Sequence, residues 1–355
     1  MRRPGDFVID RVDAELTAVL DDRARVLSAI GDDLVPICAA ARTFVLDGGK
    51  RLRPTFAYWG WRAVHDADAD DRGLITAAAS LELLHACALA HDDVMDASDT
   101  RRGRESAHAA FARLHREHSW TGDAEVFGTA AAIVLGDLLL SWADAMFATA
   151  AIEAAAAPRA RSVYDEMRQL VMAGQYLDVL VQARGAFSAD EALRVIEFKT
   201  SKYTVEGPLH LGAAVASAPE HVFAVLTEYG LALGEAFQLR DDVLGVFGDP
   251  SVTGKPAGDD LREGKHTLLT ALAMSEASSA QAAALRAGLG DRALDEEQVA
   301  ALREVIVSTG ALARVEERIA QRTAQARAAA QSPALGADAR AALAALAEAA
   351  TNRHA

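Results

Sequence analysis

Apolar residues recur at three- and four-residue spacing along much of this chain, which is the period of helices that bury one face. The stretches that show this spacing are Phe7–Ile30, Leu74–Ala90, Phe127–Ala151, Val163–Val181 and Val222–Phe237. Runs of β-branched residues bounded by turn pairs are nearly absent, so a sheet would have little to be built from. The pattern therefore predicts an all-α protein.

Turn residues divide this pattern into roughly ten helices, and no Ser- or Pro-rich linker is long enough to separate domains. The predicted breaks lie at Gly48-Gly49, Gly60, Arg101–Arg104, Ser119–Asp123, Gly185–Ala189 and Gly248–Gly264. With 355 residues, 51% of them hydrophobic, the chain can bury a large core. We expect one domain over residues 1–355, a single large helical bundle, with the Ala- and Arg-rich end from Ser278 onward acting as scaffold.

The excess of acidic over basic residues limits the kinds of molecule that the protein is expected to bind. Lys and Arg number 36 against 51 Asp and Glu, a net charge of −15, which argues against nucleic acid and against anionic membrane surfaces. Cys38 and Cys87 are too few for a disulfide framework and form no CxxC pair, as expected in a reducing compartment. The segment MRRPGDFVID has two arginines but not the apolar stretch expected of a leader, and no run approaches the roughly 18 uninterrupted apolar residues of a membrane span. We expect a soluble cytoplasmic protein without stable membrane insertion.

The stretch that ends at Ala90 leads into an aspartate cluster. Asp92 and Asp96 are four residues apart and share one helical face, with Asp93 beside them. Carboxylates without imidazole or thiolate partners favour Mg²⁺, which keeps waters and shares its other positions with phosphate oxygens. The alternative is a solvated acidic helix end, but the apolar run Leu81–Ala90 would carry the aspartates into the interior.

A second apolar stretch ends in a similar pair, Asp241 and Asp242. Here the third position is Gly245 instead of a carboxylate, so the repeat of the first cluster is incomplete. The pair could still take one ion. The two helix ends are expected to face one another across the bundle.

Positive charge is clustered near these aspartates, where guanidinium and ammonium groups suit diphosphate oxygens. The basic residues in question are Lys50, Arg51, Arg53, Arg101, Arg102, Lys199, Lys202, Lys255 and Lys265. The loop that contains Lys255 is not a Walker A loop, because its glycine spacing is wrong and no strand precedes it. His85 lies two turns before Asp92 on nearly the same face, and could be either packed or functional. His115 and His118 are interpreted as surface residues.

In combination these residues resemble a known family, the trans-isoprenyl diphosphate synthases, also called polyprenyl synthetases. Five motifs occur in the family's order between Gly48 and about Thr267: GGKRLRP, LELLHACALAHDDVMD with the following RRG, GQYLD at Gly174–Asp178, FKT at Phe198–Thr200, and FQLRDD with GKPAGDDLREGK. The strongest resemblance is to actinobacterial geranylgeranyl diphosphate synthases. It implies a helical bundle of the isoprenoid synthase type with a central cavity, and a homodimer.

The resemblance also implies roles for individual residues. Asp92 and Asp96 would hold two Mg²⁺ and Asp241 a third, about three ions in all, with Asp93 and Asp242 in support. The allylic diphosphate would be bound by Arg101, Lys199 and Lys255. The diphosphate of isopentenyl diphosphate would be bound by Lys50, Arg53, His85 and Arg102. Thr200 and Gln238 would stabilise the allylic cation and orient its diphosphate, and Lys265 would help to close the lid over the site.

The implied activity is that of a trans-prenyltransferase, which condenses dimethylallyl, geranyl or farnesyl diphosphate with isopentenyl diphosphate. In the family, bulky aromatic residues just before the first aspartates stop elongation at fifteen carbons. Cys87 and Ala88 are small, which favours the twenty-carbon geranylgeranyl diphosphate. Alternatives are a farnesyl or longer polyprenyl diphosphate synthase, a class I terpene cyclase, and a non-catalytic subunit of a heteromeric synthase. A cyclase has no use for a second basic set, and a non-catalytic subunit would be expected to lack the first aspartate cluster.

Overall fold

The computed structural model describes residues 6–101, 103–185, 188–248 and 258–351. Within these ranges the chain is helical nearly throughout, and the only strands are two short ones that form an antiparallel hairpin. The all-α prediction is confirmed. Each of the five stretches with helical spacing coincides with a helix, and the helix ends differ from the predicted ones by at most six residues except after Phe237, where the helix continues to Phe247.

The first half of the chain carries seven α-helices, a short 3₁₀ helix and the hairpin. In chain order they are α1 (Asp6–Ser28), the 3₁₀ helix Asp32–Leu34, α2 (Val35–Leu46), α3 (Leu52–Arg62), α4 (Arg72–Met95), β1 (Thr100–Arg101), β2 (Arg104–Glu105), α5 (Ala107–Glu117), α6 (Ala124–Thr149) and α7 (Ala157–Arg184).

The second half of the chain contains more helices, and most of them are shorter. They are α8 (Ala189–Val195), a π-helical segment (Ile196–Glu206), α9 (Gly207–Val215), α10 (Glu220–Phe247), α11 (Asp259–Glu263), α12 (Leu268–Glu276), α13 (Ser279–Gly288), α14 (Glu296–Ser308), α15 (Ala311–Ala330) and α16 (Ala337–Thr351).

Two clusters of buried apolar side chains make up the core. The larger joins α1 to α7 with α9, the first half of α10 and α16, and the smaller joins α8 and the second half of α10 to helices α11 to α15. Helices α10 and α15 contribute to both clusters. The helices after Ser278 thus supply core residues such as Leu285 and Val315.

Helix α4 is the central helix of the larger cluster. Leu74, Leu81, Leu83 and Leu84 are all buried, and α1, α3 and α6 pack around it. Both α4 and α6 are long and apolar enough to cross a membrane, with 72% and 39% of their most apolar windows buried. Length and composition are weak evidence for a span, because the core helix of a soluble protein has the same character.

The predicted break at Gly60 is wrong. Gly60 lies inside α3 and is buried, and a side chain there would overlap the backbone of Leu209 in α9. Gly212 of α9 has the same relation to Ala57. These two glycines allow α3 and α9 to pack backbone to backbone, so Gly60 marks a close helix crossing instead of a turn.

The interpretation of His115 as a surface residue is also wrong. His115 is buried, with its Nε2 3.2 Å from the carbonyl of Thr121 and its ring beside Trp120 and Phe127. His118 is exposed, as predicted. His115 therefore packs between Trp120 of the loop after α5 and Phe127 of α6, which only the tertiary contacts reveal.

Candidate active site

The first aspartate cluster lies at the end of α4, and the preceding apolar run carries it inward as predicted. The side chain of Asp92 is 17% exposed and that of Asp93 is fully buried. Asp92 Oδ1 accepts hydrogen bonds from Lys199 Nζ and from Gln175 Nε2, both at 3.0 Å. Asp96 caps the helix. The cluster is therefore partly shielded from water and already contacted by a cation.

Arg101 of β1 is a second cation in this cluster. Its Nε donates to Asp93 Oδ1 at 2.8 Å, and its Nη2 contacts both Asp93 and Asp92. The hairpin places Arg101 back against the helix end that it follows in sequence. Asp93 Oδ2 is buried and has no hydrogen-bond partner among the described residues.

The acidities of these groups reflect burial and charge together. Burial raises the pKa of Asp96 to about 6, and the neighbouring Asp92 adds to the effect. Burial also raises the pKa of Asp92, but Lys199 and Arg101 outweigh it, so the net shift is downward. The pKa of Lys199 is raised, because attraction to Asp92 and Asp178 outweighs burial. Asp92 and Lys199 thus stabilise each other's charged form.

Lys199 lies in the π-helical segment, which packs closely against α7. A side chain at Gly174 would overlap the backbone at Lys199, so this glycine allows the close approach. Lys199 Nζ bridges Asp92 to Asp178 Oδ2, the latter at 2.6 Å. Rare π-helical turns recur at functional sites, where they redirect side chains.

Gln175 and Asp178 are site residues to which the sequence analysis gave no role. They lie three residues apart on one face of α7, within the motif Gly174–Asp178. Both contact the groups around Asp92, Gln175 directly and Asp178 through Lys199. The available signals were their place in the motif GQYLD and the helical spacing of two polar residues in an apolar stretch.

Thr200 and Gln238 lie together, as members of one hydrogen-bonded chain. Thr200 donates to Gln238 Oε1 at 2.7 Å, and Gln238 Nε2 donates to Asp242 Oδ1 at 2.8 Å. Burial raises the pKa of Asp242 to about 7. The chain connects the π-helical segment to the second aspartate pair.

At Gly245, where the second aspartate motif lacks its third carboxylate, the structure places a carboxylate from another part of the chain. A side chain at position 245 would overlap the carboxylate of Asp260, which lies on α11 and is buried. Lys265 Nζ donates to Asp260 Oδ1 at 3.1 Å. A carboxylate is therefore present beside the second pair, although it is supplied from a later part of the chain.

Lys265 influences the acidity of both aspartate clusters. It lowers the pKa of both Asp96 and Asp242, partly offsetting their burial, so both carboxyl groups lie within its electrostatic reach. Arg292, between α13 and α14, donates to the carbonyls of Asp96 and Ala97 at 3.2 and 3.3 Å. The scaffold prediction for the end of the chain thus misses one residue that contacts the site.

A second basic group forms at the start of α3. The Arg53 guanidinium lies 4.3 Å from the centre of the Tyr203 ring, and its Nη2 donates to Thr204 Oγ1 at 2.7 Å. The half-buried His85 ring lies 6.4 Å from the same tyrosine ring. Lys50 is exposed in the turn before α3. Arg53 and His85 therefore share Tyr203 as a common neighbour.

Cys87 and Ala88 point in different directions. Cys87 is buried, with its Sγ 3.9 Å from His91 Nδ1, and burial raises the pKa of its thiol to about 12. The ring of His91 packs on Gly136 of α6. Ala88 is half-buried and lies one turn before Asp92 on the same face. Of the two small residues, Ala88 is the one below the aspartates.

Arg102 and Lys255, both predicted to bind diphosphate, lie outside the described residues. Among the described residues, no three His, Cys, Asp or Glu side chains form a ready-made metal cage. The donors near the site are carboxylate oxygens, which suit a hard cation that completes its shell with water or phosphate. The unpartnered Oδ2 of Asp93 adds a further oxygen at the same place.

Comparisons with known proteins identify the family. The sequence model described as Polyprenyl synthetase matches residues 36–306. A geranylfarnesyl diphosphate synthase of Aeropyrum pernix is 33% identical over 285 residues, covering 79% of this chain and 83% of that protein. A (2E,6E)-farnesyl diphosphate synthase of Mycobacterium tuberculosis is 34% identical over 266 residues, covering 74% of this chain and 68% of that protein. The crystal structure of a geranylgeranyl pyrophosphate synthase from Corynebacterium glutamicum, complexed with isoprenyl diphosphate and magnesium, is 41% identical, covers 100% of both chains and has a TM-score of 0.95. The chain therefore belongs to the polyprenyl synthetase family of trans-prenyltransferases.

Proposed function

We propose that this enzyme is a geranylgeranyl diphosphate synthase, which joins an allylic diphosphate to isopentenyl diphosphate. The observation that carries the proposal is the presence of two basic groups with different neighbours, one in contact with Asp92 and the other beside the ring of Tyr203. One group contains Lys199 and Arg101, and the other contains Arg53 and His85. Two separate basic groups suit two diphosphates, whereas a terpene cyclase binds only one.

The aspartates are proposed to hold Mg²⁺, about three ions per site. Asp92, Asp96 and Asp241 would be the ligands, with Asp93 and Asp242 in support. Their oxygen donors fit a hard cation, and the magnesium and isoprenyl diphosphate in the Corynebacterium glutamicum structure support the same assignment. When bound, the ions would supply positive charge that stabilises the diphosphate as it leaves.

The side chains around the ions have separable tasks. Lys199 and Arg101, with Lys255, would bind the allylic diphosphate. Thr200 and Gln238 would place oxygen dipoles beside the allylic cation, since their hydrogen-bonded chain fixes both side chains. Isopentenyl diphosphate would be bound by Lys50, Arg53, His85 and Arg102. Lys265 would help close the site, a task supported by its electrostatic effect on both Asp96 and Asp242.

Incubation of the purified protein with Mg²⁺, isopentenyl diphosphate and each allylic primer tests this function. We expect geranylgeranyl diphosphate as the main product when the products are sized by chromatography. A farnesyl or longer product would correct the chain length only. A cyclised hydrocarbon would indicate a cyclase, and no product with any primer would favour a non-catalytic subunit.

Product length is proposed to depend on Ala88. Its methyl group lies one turn before Asp92, so a larger side chain there would block a product chain that descends along α4. We expect Ala88→Phe to shift the main product from twenty to fifteen carbons, and Ala88→Val to give a mixture. Chromatography of the products measures this. An unchanged twenty-carbon product from Ala88→Phe would contradict the assignment.

We also propose that the enzyme is a homodimer. Helix α6 has exposed apolar side chains at Val126, Ile133 and Val134, which are 68%, 43% and 51% exposed. Their spacing places all three on one face of the helix, and an exposed apolar patch of this kind is typical of a protein contact. Sedimentation equilibrium should give the mass of two chains, and a monomer at micromolar concentration would refute the proposal.

One domain over residues 1–355 and a cytoplasmic location complete the proposal. Helices α10 and α15 belong to both apolar clusters, so the two clusters are expected to unfold together. Two separate calorimetric transitions would contradict a single domain. Cys38 and Cys87 are both free thiols, which suits a reducing compartment. Recovery of the protein in a membrane or secreted fraction would contradict the location.

A further inference from the structure

Arg51, the residue immediately before helix α3, has an unusual backbone conformation. It lies between Lys50 and helix α3, with φ 48° and ψ 41°, in the left-handed region. A residue other than glycine occupies this region only when its surroundings hold it there. The contacts of Arg51 therefore have to account for its conformation.

Two carboxylates hold the Arg51 side chain. Its Nη1 donates to Glu82 Oε2 of α4 at 2.9 Å, and both side chains are 4% exposed. Its Nε donates to Asp13 Oδ1 of α1 at 2.8 Å, and Asp13 is 43% exposed. The carbonyl of Arg51 accepts hydrogen bonds from the hydroxyl and the backbone N–H of Thr55. The side chain thus joins α1 to α4, and the backbone begins α3.

The position of this ion pair links it to the second basic group. Arg51 follows Lys50 directly and precedes Arg53 by two residues, and Glu82 precedes His85 by three residues on the same face of α4. A buried ion pair resists separation, because a lone buried charge is costly. The Arg51–Glu82 pair therefore fixes the start of α3 relative to the part of α4 that carries His85.

We propose that Arg51, through Glu82, is a positioning residue for the isopentenyl diphosphate subsite and not for the allylic subsite. The inference rests on the proposed function, since it assigns that subsite to Lys50, Arg53 and His85. Loss of the ion pair would misplace these groups relative to one another. Lys199 and Arg101, which contact Asp92 from other elements, would keep their places.

Steady-state kinetics with each substrate varied in turn tests the inference. We expect Arg51→Met and Glu82→Gln to raise KM for isopentenyl diphosphate about tenfold or more, while KM for the allylic primer stays within about twofold. Asp13→Asn is the matched control. It removes the exposed partner of the same arginine and should leave both KM values within about twofold of wild type.

A double variant separates positioning from stability. Arg51→Met leaves Glu82 buried and unpaired, which lowers Tm or prevents folding. Arg51→Met with Glu82→Met removes both charges, so we expect its Tm to recover while KM for isopentenyl diphosphate stays raised. If the folded double variant has wild-type KM for isopentenyl diphosphate, or if both KM values rise equally, the positioning role is wrong. Failure of the wild-type protein to turn over and to bind isopentenyl diphosphate in calorimetry would instead overturn the proposed function.

Discussion

Asp92→Ala is expected to abolish prenyl transfer and to leave the fold intact. Asp92 accepts hydrogen bonds from Lys199, Gln175 and Arg101, so it contacts both described cations of the proposed allylic subsite. Loss of a carboxylate that is proposed to bind metal should lower kcat by about 1000-fold or more, which corresponds to ~4 kcal/mol of transition-state stabilisation.

The partners of Asp92 explain why the variant should still fold. After the substitution, Lys199 still contacts Asp178 and Arg101 still contacts Asp93, so neither partly buried cation is left alone. Single-turnover assays with saturating Mg²⁺ measure the activity, and circular dichroism with Tm measures the fold. Asp68→Ala, which removes an exposed carboxylate before α4, is the control. Activity of Asp92→Ala within about tenfold of the control would refute the metal assignment.

Helix positions could be predicted from the sequence because their signal is local. The apolar spacing of Leu74–Ala90 or Val222–Phe237 depends only on which residues share one face, and the same faces are buried in the structure. The inward position of Asp92 follows from the same pattern, since the helix that carries it is buried on nearly all sides.

Other features depend on contacts between distant parts of the chain. From sequence, Gly60 is interpreted as a turn, but in the structure it lies against α9. Arg292 is interpreted as part of the scaffold, but in the structure it donates to the carbonyl of Asp96. The roles of Gln175 and Asp178 become visible only in the structure, where Gln175 contacts Asp92 and Asp178 contacts Lys199. Periodicity assigns each residue to a face of its own helix, but it does not say which helix that face will meet.

The second aspartate pair illustrates the same limit, and it leads to a further prediction. From sequence, Gly245 is a missing carboxylate, so Gly245→Asp would be expected to complete the motif and strengthen metal binding. In the structure the space beside Gly245 is filled by the carboxylate of Asp260, which is 8% exposed and hydrogen-bonded to Lys265. The structure therefore predicts that this substitution disturbs the site, the opposite of what the sequence alone suggests.

We expect Gly245→Asp to lower kcat by about tenfold or more instead of raising it. The new side chain would displace Asp260 from Lys265, and it would add a negative charge near Asp242, whose pKa burial already raises to about 7. Turnover at varied Mg²⁺ concentration measures the effect. The double variant Gly245→Asp with Asp260→Gly removes the overlap and keeps the number of carboxylates, so it should recover part of the lost activity. Wild-type or higher activity of the single variant would show that Asp260 does not occupy a position the site depends on.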